Sequence, residues 1–365
     1  MSTGIKNINI TRKTVLVAPL DWGLGHTTRC IPLIQALQHQ NFIVLIAAEG
    51  NSAALLSKEF PNITILPLGG YNISYANNRA LFNAKIFFQI PKILRAIKQE
   101  SKWLKQMIKE YKVDIVISDN RYGLYNRGIK SLFITHQLAI ETGNKLTNRV
   151  VQKLNYKLIN KFDACWIPDE KTPNDLAGKL SNPNKLPAIP VNYIGALSRF
   201  QKEKKNKNID LLVLLSGPEP QRTILEKLML EQMNELQCKM ILIRGLPSVE
   251  DKLSSNNKEI TIYNHLTADE LSTTIQSSKI VIARSGYSTI MDLVALQQKA
   301  ILIPTPGQTE QEYLAKYLAK KKYFIAANQI GFNLKKEIGN LESLQETVMA
   351  MPNKNNLEKA IIALK

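Results

Sequence analysis

Residues 283–315 read ARSGYSTIMDLVALQQKAILIPTPGQTEQEYLA. A short apolar run, Lys279–Ala283, leads into this stretch, and a second run, Ala300–Pro304, lies inside it. Each run is followed by a helix-like segment, Thr289–Leu296 after the first and Glu310–Lys321 after the second. Short runs of β-branched and other apolar residues are typical of strands that are buried on both faces of a parallel sheet. The alternation therefore predicts βαβ units and an α/β fold.

The same alternation extends along the chain on both sides of one charged segment. Before residue 200, six apolar runs are predicted strands: Thr14–Leu20, Phe42–Ala48, Ile63–Leu68, Asp114–Ser118, Ser131–Thr135 and Ala164–Pro168. After residue 208, four further runs join the two already named: Asp210–Leu215, Lys239–Arg244, Ile260–Asn264 and Tyr323–Ala326. Between these halves, residues 201–208 (QKEKKNKN) contain no apolar side chain and are typical of a linker.

The pattern predicts two doubly wound, Rossmann-like α/β domains that face a central cleft. We expect an N-terminal domain over residues 1–200, a linker over 201–208 and a C-terminal domain over 209–350. Residues 351–365 are expected to form a helix that packs back on the N-terminal domain. Ligands of parallel sheets bind beyond the carboxyl ends of the strands, so functional residues are expected in the loops that follow strands.

The composition indicates a globular protein of the cytoplasm. The chain has 365 residues, of which 44% are apolar and 21% charged, and these values exclude disordered, collagenous and disulfide-scaffold chains. No apolar run approaches the roughly 18 residues of a membrane span, and the polar start does not resemble a signal peptide. Three widely spaced cysteines (Cys30, Cys165 and Cys238) fit buried thiols in a reducing compartment.

Positive charge is concentrated in the first 200 residues. The chain has 48 Lys and Arg residues against 30 Asp and Glu, and residues 1–200 contribute +14 of the net charge of +18. This excess favours an anionic partner such as a membrane surface or a phosphorylated substrate, although a generally lysine-rich proteome would also produce it. The sequence has no RNA-recognition or zinc-finger signature, so we expect no nucleic-acid partner.

The run Ser285-Gly286-Tyr287-Ser288-Thr289 joins a predicted strand to a predicted helix that begins at about Ser288. Backbone amides at a helix start, together with the Ser288 and Thr289 hydroxyls, make a site for phosphate oxygens. Asp292 follows about one turn later, where its carboxylate could accept a hydrogen bond from a ribose hydroxyl. Ordinary capping by serine and threonine is the alternative for this run.

Two more loops of the C-terminal half carry polar groups directly after predicted strands. Ser216 and Gly217 offer a second contact to a phosphate. Gln311 and Glu312 begin a helix after Pro304-Thr305-Pro306, where amide and carboxylate groups suit sugar hydroxyls. These groups favour a ligand that combines phosphate, ribose and a sugar.

The N-terminal half has separate candidate chemistry after its first predicted strand. Gly23 and Gly25 permit a tight turn there, and His26 stands at the start of the first predicted helix. A threonine replaces the third glycine of a dinucleotide fingerprint, so NAD binding is disfavoured. Asp119 ends another strand of this domain and could fix the tautomer of His26 as a general base. His136 follows a strand as well and, with Gly23 and Gly25, is expected in the loops on the acceptor side of the cleft. Helix capping or simple burial is the alternative for these groups.

Together, these motifs resemble the GT-B glycosyltransferases, and in particular family 28, which includes the peptidoglycan N-acetylglucosaminyltransferase. The resemblance is strongest over about residues 260–323. It is looser in the first domain, where the form LDWGLGHTTR is similar to a less-characterised branch. The resemblance implies a role for each matching residue: the donor diphosphate for Ser285, Gly286, Ser288 and Thr289, the ribose for Asp292, the donor sugar for Gln311 and Glu312, and the base or hinge side for His265, Leu266 and Arg199.

Membership of this family implies transfer of a hexosyl or N-acetylhexosaminyl group from a UDP-sugar to an acceptor hydroxyl, by direct displacement with inversion. His26 would act as general base with Asp119 behind it. The UDP-sugar would be a co-substrate, and no other cofactor is expected. No paired carboxylates follow a strand, so no metal ion is expected either. A UDP-sugar epimerase that uses Glu312, and a sugar-nucleotide-binding homologue without catalysis, remain as alternatives.

A stripe of basic residues at helical spacing runs along the first domain: Lys92, Arg95, Lys98, Lys102, Lys105, Lys109 and Lys112. The segment Leu81–Ile90 precedes it and is apolar and aromatic. We expect docking on the cytoplasmic face of an anionic membrane, which would suit a lipid-linked acceptor. The expected membrane contacts are Phe87, Phe88, Lys98, Lys102, Lys105 and Lys109. A solvated helix face is the alternative.

Overall fold

A computed structural model of the protein describes residues 12–21, 23–71, 79–141, 145–247, 249–251, 253–344, 349 and 353–365. For the helical residues 79–90, 145, 146 and 354 it describes the backbone alone. Two parallel sheets form the structure, one on each side of residues 201–208, which are exposed and form neither helix nor strand. This arrangement confirms the predicted fold class of two doubly wound α/β units.

The first sheet has seven strands in the order β3-β2-β1-β4-β5-β6-β7, and every pair is parallel. Its strands are β1 (Thr14–Ala18), β2 (Ile43–Ala47), β3 (Ile65–Leu66), β4 (Ile115–Asp119), β5 (Lys130–Ile134), β6 (Ala164–Ile167) and β7 (Val191–Tyr193). Its helices are α1 (Leu24–His39), α2 (Gly50–Glu59), α3 (Arg79–Tyr111) and α4 (Lys145–Ile159), with a short 3₁₀ helix at Gly178–Leu180. The central strands are buried on both faces, which explains their continuous apolar runs.

The second sheet has six parallel strands in the order β10-β9-β8-β11-β12-β13. Its strands are β8 (Ile209–Leu214), β9 (Met240–Ile243), β10 (Ile260–Tyr263), β11 (Ser278–Ala283), β12 (Ala300–Leu302) and β13 (Ile325–Ala326). The helices of this half are α5 (Gln221–Met233), α6 (Ala268–Ser277), α7 (Tyr287–Ala295), α8 (Thr309–Lys320), α9 (Leu334–Glu342) and α10 (Lys354–Ile362).

Each sheet has a point at which the strand order reverses. In the first sheet it lies between β1 and β4, and in the second it lies between β8 and β11. The loops that follow the two strands at such a point run to opposite faces of the sheet. They therefore leave a crevice between them at the carboxyl ends of the strands. His26 follows β1 and Asp119 ends β4, while Ser216 follows β8 and Ser285 follows β11. The sheet order therefore places both groups of predicted residues at the crevices.

Helix α1 begins at Leu24, directly after Gly23 with a φ of 73°, and His26 lies in its first turn, at the helix start where the sequence placed it. Two other local expectations need correction. Helix α3 ends at Tyr111, and Lys112 has a φ of 50°, a left-handed conformation that ends the helix. Lys112 is therefore not part of the basic stripe. Strand β7 was not predicted, because its three residues after Pro190 form too short a run to be recognised in the sequence.

The last helix, α10, lies on the N-terminal sheet. Its residues Leu357 and Ile361, together with Leu364, are buried in the same apolar cluster as Val15 of β1. At its start the Asn353 amide donates to Glu170 Oε1 at 3.1 Å. This helix ties the end of the second unit to the first. Within the residues that the structure describes, no helix combines the length and apolar character of a membrane span.

Candidate active site

The turn after β1 lies directly against helix α7 of the second unit. A side chain at Gly25 would place its Cβ 3.1 Å from Ser288 Oγ, closer than side chains normally approach. The Ser288 hydroxyl donates to the Gly25 carbonyl oxygen at 2.7 Å. Glycine at this position therefore allows the two crevices to meet. In the same turn, Gly23 has the positive φ that starts helix α1.

His26 and Asp119 contact each other, although 93 positions separate them in the chain. His26 Nδ1 lies 3.1 Å from Asp119 Oδ2. The Asp119 side chain is buried, whereas the His26 side chain is 16% exposed. The register of β1 with β4, in which Ala18 lies opposite Ser118, creates this proximity. An imidazole oriented by a buried carboxylate, with an exposed edge, has the geometry of a general base.

Arg29 is a third member of this group, and the sequence interpretation missed it. Its Nε donates to Asp119 Oδ2 at 2.8 Å, and its Nη2 also contacts Asp119 Oδ1. The result is a two-pronged pair that is almost completely buried. Arg29 lies three residues after His26 on α1, and this spacing places both side chains on one helix face. That spacing, next to the first crevice, was the feature of the sequence from which the role of Arg29 could have been predicted.

The charges of this group determine its protonation. Burial lowers the pKa of His26, Arg29 lowers it further, and Asp119 opposes them only in part. Burial alone would raise the pKa of Asp119, but Arg29 and His26 outweigh it and hold the pKa well below the usual range. Near neutral pH, Asp119 is therefore ionised and His26 is neutral, the state in which histidine can accept a proton.

His136 connects the first unit to the second. Its ring is buried and stacks on Tyr287 of α7, with centroids 4.0 Å apart and planes 5° from parallel. Its Nε2 lies 2.6 Å from Glu310 Oε1 of α8, and its Nδ1 lies 3.3 Å from Arg29 Nη1. His136 was expected on the acceptor side of the cleft, and the structure places it in contact with the opposite unit. Glu310 was not among the expected residues.

The turn between β11 and α7 has the expected shape. Gly286 is the residue that precedes α7, and it supplies no side-chain cap. The Ser285 hydroxyl donates to the Gln311 carbonyl oxygen at 2.9 Å, and Ser288 is bonded to Gly25 as described above. Thr289 follows within the first turn of the helix. The helix start therefore faces the crevice with its amide groups, an arrangement that suits an anion.

Asp292 lies one turn further along α7, beside the segment that leads out of the first unit. Its Oδ1 accepts a hydrogen bond from Ser198 Oγ at 2.6 Å. Burial raises the pKa of Asp292 to about 6, against the lowering effects of Ser198 and Arg199. Burial also lowers the pKa of His265, with Arg199 and Lys58 adding to the effect. Arg199 thus lies near both Asp292 and His265, and its buried Nε has no hydrogen-bond partner among the described residues.

The side chains of Gln311 and Glu312 brace the loop that precedes α8. Gln311 Oε1 accepts from the Thr305 amide at 2.8 Å, and Glu312 Oε1 accepts from the Gly307 amide at 3.0 Å. Glu310, at the start of the same helix, contacts His136. Through His136 its carboxylate reaches the group around His26. Leu266 packs, partly buried, against the main apolar cluster.

Arg284, directly before the Ser285 turn, is a buried cation. Within the part of the chain that the structure describes, its guanidinium bonds only to the carbonyl oxygens of Gln221, Ile303 and Pro304. Its Nε has no partner there, and burial lowers its pKa to about 10. The loop of Ser216 and Gly217 lies beside Thr305, the residue after Pro304, since a Cβ on Gly217 would lie 3.7 Å from Thr305 Oγ1. An uncompensated positive charge thus lies beneath the second crevice.

The expected membrane residues lie on α3. Lys98, Lys102, Lys105 and Lys109 are all exposed, and buried residues such as Leu104 occupy the opposite face of the helix. Phe87 and Phe88 belong to the helical stretch of which only the backbone is described, so their predicted contacts lie outside the described side chains.

Two family models match the chain. The model of the glycosyltransferase family 28 C-terminal domain matches residues 221–364, and the model of glycosyl transferase family 1 matches residues 17–132. The first match contains the α7 turn, Asp292 and the start of α8. The second contains His26, Arg29 and Asp119.

Curated relatives extend over most of the chain. An uncharacterised glycosyltransferase of Methanosarcina mazei is 26% identical over 328 residues, which cover 82% of this chain and 82% of the relative. The UDP-N-acetylglucosamine–N-acetylmuramyl-(pentapeptide) pyrophosphoryl-undecaprenol N-acetylglucosamine transferase of Clostridium tetani is also 26% identical, over 88% of this chain and 87% of its own. The solved structure of the kitacinnamycin glycotransferase has the same fold, with a TM-score of 0.66 at 13% identity, over 97% of this chain and 96% of that one.

Proposed function

Because the chain is a glycosyltransferase of the GT-B fold and the family 28 type, we propose that it transfers a hexosyl or N-acetylhexosaminyl group from a UDP-sugar to an acceptor hydroxyl, with inversion. One observation carries this proposal. The His26–Asp119 pair at one crevice directly adjoins the start of α7 at the other, and the Ser288–Gly25 hydrogen bond joins them. This arrangement supports a base and an anion site on opposite sides of one cleft.

In this proposal the second unit binds the donor. The diphosphate lies at the start of α7, against Ser285, Gly286, Ser288 and Thr289, with the Ser216–Gly217 loop on its other side. The ribose hydroxyls bind Asp292, and the base lies toward His265, Leu266 and Arg199. Gln311 and Glu312 shape the sugar pocket through the loop that they brace, and Glu310 borders it. The Ser288–Gly25 hydrogen bond gives way when the phosphate takes its place.

The reaction proceeds as a single displacement. The acceptor hydroxyl gives its proton to Nε2 of His26, and its oxygen forms a bond to the anomeric carbon. The bond from that carbon to the diphosphate oxygen breaks, and UDP leaves with the electron pair. Asp119 stabilises the imidazolium that forms. The positive end of α7 and the uncompensated charge of Arg284 stabilise the leaving diphosphate, so the proposed reaction needs no metal ion or other cofactor.

Incubation with UDP-N-acetylglucosamine and a panel of acceptors, followed by NMR of the products, tests this function. An inverting glycosyltransferase releases UDP and forms a β-linked glycoside from the α-linked donor. An epimerase would instead return a nucleotide sugar of altered configuration, and a homologue without catalysis would leave the donor intact. His39→Ala is a matched control for His26→Ala, because His39 is exposed at the opposite end of α1.

We further propose that the acceptor is lipid-linked and that the first unit docks on the cytoplasmic face of an anionic membrane. The exposed lysines of α3 support this proposal, as does Leu94 among them, which is 55% exposed. Helix α4 adds Val150 and Leu154, 62% and 54% exposed, one turn apart. Exposed apolar residues on a basic helix are typical of helices that lie in a membrane interface.

Helices α3 and α4 present these groups on the same side of the first sheet. Ile93 of α3 and Leu158 of α4 pack against one apolar cluster around Tyr71. Three basic residues of α4, Arg149, Lys153 and Lys157, are exposed beside its apolar pair. Each basic residue near an anionic bilayer contributes about 1 kcal/mol, so a few of them suffice for reversible attachment.

Sedimentation with vesicles tests the docking. We expect binding to anionic but not to neutral vesicles at low salt, and a steep loss as salt rises, because the Debye length is only about 8–10 Å near physiological ionic strength. Replacement of Lys98, Lys102, Lys105 and Lys109 by glutamine should abolish the salt-sensitive part. The matched control replaces four exposed lysines of the second unit: Lys227, Lys258, Lys316 and Lys336. Absence of binding by the parent at low salt would make the stripe a solvated face and the acceptor a soluble molecule.

A further inference from the structure

The guanidinium of Arg29 is the point where the groups of the cleft meet. It holds both oxygens of Asp119, and its Nη2 lies 2.8 Å from His26 Nδ1. Its Nη1 lies 3.3 Å from His136 Nδ1. The Arg29 and Asp119 side chains are almost completely buried, and His136 is buried as well. One side chain thus contacts the proposed base, its carboxylate and the histidine that reaches the second unit.

The chemistry of guanidinium determines where the proton of His136 lies. Arginine has five N–H donors and no acceptor, and it stays protonated in proteins. The Nδ1 of His136 must therefore be the acceptor in its contact with Arg29. In the neutral ring the proton is then on Nε2, which donates to Glu310 Oε1 at 2.6 Å across the cleft. The stacked ring of Tyr287 holds the imidazole in this orientation.

The situation of His26 differs, because its Nδ1 lies between an obligatory donor and an obligatory acceptor. Asp119 Oδ2, at 3.1 Å, favours a proton on Nδ1 and leaves Nε2 able to accept one. Arg29 Nη2, at 2.8 Å, favours the opposite tautomer and opposes a positive charge on the ring. Removal of the charge of Arg29 would therefore make His26 easier to protonate.

We propose that Arg29 is a positioning residue that ties the base site to the donor unit, because it clamps Asp119 and, through Nδ1 of His136, directs the Nε2 proton of that ring to Glu310. This inference rests on the proposed transferase function for its kinetic consequence. Its structural part, the tautomer of His136, does not depend on that function. Arg29 acts through these side chains and need not touch either substrate.

Several charged and titratable groups surround His26 and its carboxylate. Arg29 of α1, Asp119 of β4, His136 after β5 and Glu310 of α8 interact with His26 itself, and Cys30 contacts Asp119. Tyr287 of α7 is a further titratable group, stacked on His136. Arg29 is the only permanent cation among these six groups. A change in the pH dependence of catalysis on its removal is therefore the signature of its charge, which a purely structural role would not produce.

Nitrogen NMR of the protein with labelled histidine is the first test. The four histidines are assigned by single His→Gln variants. We expect an unprotonated Nδ1 and a protonated Nε2 in His136, as its contacts with Arg29 and Glu310 require. A proton on Nδ1 of His136 would overturn the proposal, whether or not the enzyme transfers sugar. Absence of transfer by the parent with any donor would instead contradict the proposed function and leave this NMR result standing.

A pair of variants is the second test. Arg29→Gln removes the charge, and we expect the acid limb of kcat/KM against pH to move up by about one pH unit, since a neighbouring charge moves a pKa by about that amount or more. Arg29→Lys keeps the positive charge but loses the planar guanidinium that contacts both oxygens of Asp119. The acid limb of its kcat/KM profile should therefore stay near that of the parent, while kcat falls. An unchanged acid limb in Arg29→Gln would overturn the role of the charge. If Arg29→Gln does not fold, Arg29→Lys provides the test. A shifted acid limb in this variant, which keeps the charge, would overturn the role of the charge.

Discussion

The two crevices of this protein are built in different ways. The first is made of charged side chains that lie far apart in the chain, since His26 and Arg29 come from α1 and Asp119 comes from β4. The second is made of one contiguous run, in which the strand end, the glycine turn and the helix start follow each other from Ser285 to Asp292. Titratable side chains therefore dominate the first crevice, whereas backbone dipoles at a helix start and the buried Arg284 dominate the second.

This difference suits the division of labour in the proposed reaction. A base must change its charge during the reaction, so it needs groups with opposing effects on its pKa, as His26 has in Arg29 and Asp119. A site for a diphosphate needs a constant positive potential, which helix termini and a permanently charged guanidinium provide. Variants of the first crevice should therefore alter the rate and its pH dependence. Variants of the second should alter donor affinity.

The largest effect is expected for His26→Ala. Loss of the general base should lower kcat by about 10²–10⁴-fold, while the affinity for UDP changes little because the donor binds to the other unit. Steady-state kinetics and calorimetry with UDP measure the two quantities separately, with His39→Ala as the control. A variant that keeps more than about a tenth of the parental kcat would return His26 to a structural role, since a general base contributes at least ~10²-fold.

A smaller kinetic effect is expected for Asp119→Asn, together with a loss of stability. The amide can still contact His26, but Arg29 would lose its buried counter-charge, which costs about 3–5 kcal/mol in the free energy of unfolding. Denaturant unfolding measures the stability, and kcat is compared with that of His26→Ala. Full activity and parental stability would show that the buried pair has no role in either.

A severalfold loss of UDP affinity is expected for Asp292→Ala, with kcat nearly unchanged at saturating donor. The reason is that Asp292 contacts the proposed ribose side and not the reacting atoms. Ser198→Ala is the matched control, because it removes the hydroxyl that donates to Asp292 Oδ1 but leaves the carboxylate. Equal UDP affinity in Asp292→Ala and the parent would make the ribose assignment wrong.

The smallest expected effect is a displacement of the pH profile of the parent enzyme. In the proposed reaction His26 accepts a proton only when it is neutral, and burial and Arg29 both lower its pKa from the ordinary 6.5. Activity should therefore fall on the acid side with a midpoint below pH 6.5, measured as kcat/KM, which reports groups of the free enzyme. A midpoint above pH 6.5 would mean that Asp119 outweighs the other two influences.

The sequence indicated the second crevice better than the first. Residues 285–292 are contiguous, so strand, turn and helix signals could be read together, and the two-unit fold followed from the same alternation. His26 and Asp119 could be paired only on the assumption that their strands are neighbours, which the register of β1 with β4 bears out. Arg29 and Glu310 were missed, because their roles depend on a helix face and on contacts across the cleft that no local pattern encodes. Gln311 and Glu312 looked like free polar groups in sequence, but both bond to their own loop.

A crystal structure of the protein with UDP bound tests the central claim most directly, because it locates the donor relative to both crevices. The account predicts diphosphate oxygens within hydrogen-bonding distance, about 3 Å, of the amides at the start of α7. It also predicts a ribose hydroxyl on Asp292, a broken Ser288–Gly25 hydrogen bond, and Nε2 of His26 facing the terminal phosphate from the other side of the cleft. UDP bound at the carboxyl ends of β1 and β4, or outside the cleft, would contradict the account.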